Sequence, residues 1–313
     1  MIDKNLIIQF AKSTERAAYG ASLFKGKDDK IAADQASVNE MRKQLNTINM
    51  KGKIVIGEGE MDEAPMLYIG EKVGNGQGKE FDIAVDPLEG TNFIAKNLPN
   101  ALSVIAIGEK GSLLNAPDTY MEKIAIGANL PENLVDLDFS IEKNIKLLSE
   151  AKNKPIDKIA ACILERDRHN EIINSLKSLG VKINFIQDGD VMGVFSVANQ
   201  KSNIDIYLGT GGAPEGVLAA AALSCLDCQM QTRIVFQNNA EKERAKKFGI
   251  TNLDKKYNIS DMVKSDVIFC ATAVTDTDSV KGIIDSGDYF EAETIVLHKS
   301  SNTYRIHKNK IKK

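Results

Sequence analysis

Apolar positions along the chain follow two rhythms. Over residues 5–19, Ile7, Phe10, Ala11, Thr14 and Ala18 recur at helical spacing and predict an amphipathic helix. Over 33–46, Val38, Met41 and Leu45 do the same, with Lys30 and Asp34 about one turn apart around its start. Short apolar runs at 54–56, 81–85, 102–107 and 123–127 predict strands. Residues 64–73, with Pro65 in the first turn, predict a helix, and 129–153, rich in Lys, Asn and Glu, a helical connector. Strand and helix then alternate: strands at 158–164, 181–186 and 204–208, helices at 170–179, 191–199 and 216–228. That alternation argues for a layered α/β fold. A charged helix at 240–248, a strand at 266–271 and a strand pair at 295–299 and 303–306 follow, and the lysine-rich tail is expected to fray. The lobe boundary is placed near Lys154-Pro155, dividing 1–154 from 155–313.

Composition narrows the classes. At 313 residues and 43% hydrophobic, the chain can bury a sizeable core in two modest domains. Charged residues balance to a net −3, so no basic surface for nucleic acid is implied. The start, Met1-Ile2-Asp3-Lys4-Asn5, carries acid too early for a secretory signal. The longest apolar-rich run, 217–226, falls far short of the roughly 20 residues a membrane span needs. Four cysteines fit a reduced, cytoplasmic protein. Cys225 and Cys228 form a CxxC inside an alanine-rich helical run with no second pair, which reads as packing rather than zinc or redox chemistry. The glycines of Gly74-Asn75-Gly76-Gln77-Gly78 precede a strand, whereas a dinucleotide fingerprint needs a helix there.

The chemistry concentrates at strand ends. Phe81 to Val85 runs into Asp86-Pro87-Leu88-Glu89-Gly90-Thr91-Asn92. Pro87 biases Asp86 to extended backbone, so the strand is expected to end there. Asp86 and Glu89 then aim at one spot, with the Thr91 hydroxyl beside it; a solvated surface turn is the plain alternative. Upstream, Ile54-Val55-Ile56 leads into Gly57-Glu58-Gly59-Glu60-Met61-Asp62-Glu63, four acids within six residues. Hard oxygen donors gathered in this way suit Mg²⁺ or Mn²⁺ and repel one another without a cation. Arg166-Asp167-Arg168 offers two forked guanidiniums for phosphate oxygens. His169 beside them reads as structural, as do His298 and His307. Asp188-Gly189-Asp190 ends the next strand, where Asp190 also suits a helix cap. In Gly209-Thr210-Gly211-Gly212-Ala213-Pro214-Glu215-Gly216, strand, glycine loop and helix start suit an anion; Glu215 there also suits the helix dipole. Tyr120 falls in an irregular corner over 116–121.

These loops, in this order along nearly the whole chain, resemble class II fructose-1,6-bisphosphatase. That family is the bacterial branch of the lithium-sensitive, metal-dependent sugar and inositol phosphatase superfamily. Glu89, where the wider superfamily has aspartate, favours this branch. The resemblance implies an α-β-α-β-α sandwich of the inositol monophosphatase type, two lobes with the active site between them, residues 1–154 binding metal and 155–313 binding substrate. It implies hydrolysis of the 1-phosphate of fructose 1,6-bisphosphate, a gluconeogenic step, by metal-activated water positioned by Thr91, with Lys30 and Asp62 also catalytic. Asp34 and Glu58 would hold one divalent ion, Mn²⁺ or Mg²⁺, and Asp86, Glu89 and Glu215 another, about two per site. Glu89, Gly90, Thr91, Tyr120, Arg166, Asp167, Arg168, Asp188, Gly189, Asp190 and Gly212 would contact substrate. Asp167 departs from the family's Lys-Pro-Arg triplet. A homodimer or homotetramer without membrane or nucleic-acid partners is expected. The competing readings are a sedoheptulose-1,7-bisphosphatase, an inositol phosphatase and a non-catalytic phosphosugar sensor.

Overall fold

Helix α1 (Asn5–Ser22) forms because Ile7, Phe10, Ala11, Ala17 and Ala18 return to one face, and all five are buried. Helix α2 (Lys30–Leu45) begins earlier than its apolar spacing suggests. Asp29 caps it, accepting from the Ala32 N–H at 3.0 Å. The computed structural model describes residues 1–58, 66–199 and 202–313. After α2 come β1 (Lys51–Ile56), β2 (Lys72–Val73), β3 (Glu80–Glu89), the short α3 (Thr91–Ala95) and β4 (Leu102–Glu109). Next are β5 (Tyr120–Ile126), α4 (Ile141–Ala151), β6 (Ala160–Leu164), α5 (Asn170–Ser178), β7 (Lys182–Ile186) and α6 (Asp190–Phe195). They lead to β8 (Ile206–Gly212), α7 (Ala213–Ser224), β9 (Gln229–Val235), α8 (Asn239–Lys247), β10 (Lys256–Asn258) and α9 (Ile259–Met262). The chain closes with β11 (Val267–Ala273), β12 (Ile284–Ser286), β13 (Tyr289–His298) and β14 (Thr303–Lys312).

Contacts divide the chain into two units, Met1–Leu114 with Val263–Lys313, and Asn115–Met262. The division differs from a boundary at 154/155 because strand partners are non-local. β5 pairs with β8 and β9, whereas β11 returns to pair with β4. The first unit holds an eight-stranded sheet, β12-β13-β11-β4-β3-β1-β2, with β14 on β13. α1 and α2 cover one face, packing Phe10, Val38 and Met41 against Ile54, Ile83, Val85, Ile105 and Ile107. The second unit holds a six-stranded sheet, β10-β9-β5-β8-β6-β7. Ile145, Leu148 and Leu176 of α4 and α5 pack on Ile124, Ile126, Ile206 and Leu208. The near-wholly apolar α7 packs with α6 and against β5, β8 and β9. Each unit therefore has the helix-on-sheet layers of an α/β sandwich.

Four local expectations are corrected. β3 runs through Pro87 to Glu89. Proline is tolerated there because its pairing with β1 stops at Ala84 and its register with β4 slips between Asp86 and Glu89, so no ladder bond needs a Pro87 N–H. Residues 64 and 65 lie outside the described residues, and 66–73 are not helical. Leu67 and Gly70 have positive φ, and Glu71 bends the segment by accepting from the Leu67 N–H and from Arg42 Nε at 2.5 Å. Of 129–153 only Ile141–Ala151 is helical; Asn129 and Asn133 have positive φ upstream. The C-terminal lysines do not fray. β14 pairs with β13 along its length, Lys308 and Lys310 standing opposite Glu293 and Glu291.

Gly57 ends β1 under the Leu67 carbonyl, where any Cβ would overlap the oxygen. Gly57→Ala is expected to lower the unfolding free energy by about 1–3 kcal/mol, the scale of overpacking, as measured by urea denaturation. Wild-type stability in that variant would contradict the close approach.

Candidate active site

The first unit gathers its acids through a register slip. Asp86 stands opposite Val104, but Glu89 stands opposite Leu102. Three steps on β3 thus match two on β4. Side chains alternate faces along a strand, so residues three apart normally point opposite ways. One extra residue reverses this and puts Asp86 and Glu89 on the same face. β1 runs parallel to β3 with Ile56 beside Ala84, so Glu58 lies at the same strand end as Asp86. Gly90, in the left-handed region at φ 82°, turns the chain so that Thr91 opens α3, half-buried.

α2 is pinned over that turn. Lys30, Ala33, Asp34 and Ser37 share one helical stripe. Ser37 Oγ donates to the Pro87 carbonyl at 2.5 Å, and Ala33 packs with Leu88, Phe93 and Ile94. Lys30 and Asp34 flank these anchors and therefore lie by the β3–α3 turn. Asp29 already caps the helix, so Asp34 is not its cap. Burial pushes the Asp34 carboxyl above its ordinary pKa. Glu89 is buried at 5% exposure, Lys30 is exposed, and Asp62 lies outside the described residues. Among the described residues, no three His, Cys, Asp or Glu side chains close to ligand distance around one point.

The second unit assembles a basic, glycine-lined end of its sheet. Tyr120, assigned to an irregular corner by its sequence, opens β5 opposite Gly212. The Arg168 guanidinium lies 5.0 Å from its ring centroid and donates from Nε and Nη2 to the Thr210 carbonyl, at 3.0 and 2.8 Å. His169 is structural, as its sequence context suggests. Its Nδ1–H donates to the Leu164 carbonyl, and Nε2 accepts from the Thr210 N–H, both at 2.8 Å. Arg166 Nη2 donates to the Gln187 carbonyl at 2.6 Å, holding the turn that leads to Asp188. Asp167 is exposed. Glu215 is the third residue of α7, its carboxyl folded back over Gly212, where a Cβ would overlap Oε2. That Oε2 is buried without a hydrogen-bond partner among the described residues. Burial raises the Glu215 pKa, with Lys123 opposing the rise.

Residues 4–311 match the family described as bacterial fructose-1,6-bisphosphatase, glpX-encoded. The chain is 42% identical to fructose-1,6-bisphosphatase 1 class 2 of Escherichia coli strain K12, over 96% of this chain and 94% of that one. It is 40% identical to the class 2 enzyme of Haemophilus influenzae, over 97% and 95%. The chain belongs to the class II fructose-1,6-bisphosphatase family. A solved IMPase of Thermotoga maritima aligns at TM-score 0.35 and 12% identity, over 71% of this chain and 84% of that one.

Class II fructose-1,6-bisphosphatases are metal-dependent, and the donors suit a hard dication in kind. Asp34 and the buried Glu215 Oε2 each carry a desolvation penalty that a cation relieves. Lys123 and Tyr207 escaped the reading of the sequence. Both are buried, and both donate to Asp190, Lys123 Nζ to Oδ2 and the Tyr207 hydroxyl to Oδ1. The available signal was a lysine in register with Met121 and Ala125 on the buried side of an apolar strand. Asp190 is not the cap of α6 either, since Gly189 holds that position.

Burial holds the His169 imidazole below its ordinary pKa. Between about pH 6.5, the ordinary histidine value, and the lower folded value, only the unfolded chain takes up the proton. Stability therefore falls as pH falls through that window. The unfolding free energy of wild type minus that of His169→Gln is expected to shrink from about pH 7.5 to about pH 5.5. A difference independent of pH would remove the neutral imidazole from this account.

Proposed function

We propose that this chain hydrolyses fructose 1,6-bisphosphate at its 1-phosphate, giving fructose 6-phosphate and inorganic phosphate. The reading rests on family membership over residues 4–311. The residues that would hold divalent cations, about two Mg²⁺ or Mn²⁺ ions, are Asp34, Glu58, Asp86 and Glu89 of the first unit and Glu215 of the second. When bound, such ions polarise phosphoryl oxygens, lower the pKa of water and stabilise entering and leaving oxygens. Thr91, at the first position of α3, orients the attacking water through its hydroxyl and passes on the proton, with Asp62 as its acceptor. The water oxygen bonds to phosphorus as the phosphorus–oxygen bond to C1 breaks, and the leaving sugar oxygen takes up a proton from solvent. Lys30 balances charge beside the turn.

Arg166, Arg168 and Tyr120 hold the remote phosphate, with Asp188, Gly189, Asp190 and Gly212 around the sugar. Stacking on Tyr120 and two bonds to Thr210 fix the Arg168 fork before any ligand arrives, which lowers the ordering cost of binding. Binding the far phosphate orients the reacting one. A cytoplasmic homodimer or homotetramer belongs to the same reading.

Phosphate release by the purified protein should require Mg²⁺ or Mn²⁺ and stop in EDTA; release unaffected by EDTA would contradict it. Thr91→Ala is expected to lower kcat about 10²-fold or more, the scale of general acid–base assistance, and near-normal turnover would exclude Thr91. Arg168→Ala should reduce kcat/KM for the bisphosphate more than for a simple aryl phosphate. Equal losses would contradict its phosphate role.

A further inference from the structure

The best-defended polar cluster of the second unit lies beneath the substrate loops. Lys123 is 1% exposed and Tyr207 fully buried, on neighbouring strands β5 and β8. Both point at Asp190, the first residue of α6, and occupy its two carboxylate oxygens. Two glycines leave room for the pair. A Cβ on Gly211 would overlap Asp190 Oδ2 and fall 3.1 Å from Lys123 Nζ, and one on Gly216 would fall 3.2 Å from Lys123 Cε. Space has therefore been kept for an ion pair on both β8 and α7.

A buried lysine–aspartate pair is a poor route to stability, because desolvating both charges offsets most of their attraction. Apolar side chains of similar volume would serve the core as well. What the pair does supply is direction. Asp190 is covalently next to Gly189, which sits in the left-handed region at φ 79°, and to Asp188 before it. Gripping the carboxylate from two strands fixes where that turn stands.

We propose that Lys123 and Tyr207 form with Asp190 a buried positioning lock that sets the Asp188–Gly189 turn for the sugar. Asp188 and Gly189 meet the substrate, and the part that Asp190 plays around the sugar is exerted through them, because Lys123 and Tyr207 already occupy its two carboxylate oxygens. This rests on the phosphatase reading above and refines it, assigning Lys123 and Tyr207 as positioning residues.

The test is a mutant cycle on the full chain with Mn²⁺, reading kcat and KM for fructose 1,6-bisphosphate separately. Tyr207→Phe removes one oxygen and keeps the ring. It should raise KM about tenfold, the scale of a lost hydrogen bond to a charged group, with a smaller change in kcat. Lys123→Met alone strands a buried carboxylate and is expected to lower the melting temperature. Lys123→Met/Asp190→Asn removes both charges and should recover folding while keeping the raised KM. Tyr207→Phe added to Asp190→Ala, which leaves no acceptor for the hydroxyl, should raise KM no further than Asp190→Ala alone. Multiplying effects would mean that Tyr207 acts other than through Asp190 and would overturn the lock, as would a wild-type KM in Tyr207→Phe and in the charge-removed pair. A wild-type chain that releases no phosphate from the bisphosphate would overturn the phosphatase reading itself, so the two failures are distinguishable.

Discussion

One extra residue in β3 decides where the acids of the first unit point. Without the slip between Asp86 and Glu89, strand alternation would send those two carboxylates to opposite faces. With it they share a face at the end of a strand whose core side, Phe81, Ile83 and Val85, is held by α1 and α2. Pro87 is compatible with this arrangement because the bulge is the place in an interior strand where a missing N–H leaves no broken ladder bond. The Pro87 carbonyl in turn receives the Ser37 hydroxyl, so the irregularity also anchors the middle of α2 and with it the stripe bearing Lys30 and Asp34. Sheet register, proline chemistry and helix placement are one constraint seen from three sides.

The second unit solves a similar problem with side chains on backbone. Thr210 is held by both its peptide groups, the carbonyl by Arg168 and the N–H by His169, and the next turn by Arg166 on Gln187. Loops at a strand end are ordinarily the mobile part of an α/β unit. Here charged and aromatic groups that would suit a phosphate also brace the loops that present them. The guanidinium is suited to this double duty because its planar fork carries more donors than any single partner uses.

Much of this was legible in the residues. Helical spacing located α1 and α2, and among the described residues glycines and acids after apolar runs marked the turn after β3 and the ends of β7 and β8. What the chain did not disclose was non-local. The return of β11 to β4, with β13 joining β11 on its other side, moves the unit boundary and depends on strand partners far apart in sequence. Lysines at the C-terminus read as a fraying tail because their partners, Glu291 and Glu293, are supplied by the neighbouring strand. Pro87 read as a strand terminator because a bulge is a relation between two strands and has no signature in one. Lys123 merely opens the predicted strand at 123–127, since only the fold shows that its neighbours on that face are Asp190 and two glycines.

Burial of carboxylates gives the candidate site a definite thermodynamic character. Asp34 and Glu215 both have pKa values raised by desolvation. A carboxyl whose folded pKa exceeds its unfolded value, about 4, binds more protons folded than unfolded between the two. Its contribution is complete below about pH 4 and is lost as pH rises through the folded value, opposite in sign to His169. At neutral pH these acids are therefore a net cost to the fold as long as only protons are available to neutralise them. A dication held by the ionised carboxylates would compete with those protons and return the lost stability, more so as pH rises. Acids that weaken the fold and strengthen on meeting a cation are what a metal-dependent site requires. Asp205 is the opposite case: Lys152 and Lys154 pair it, and its pKa is held below the usual range.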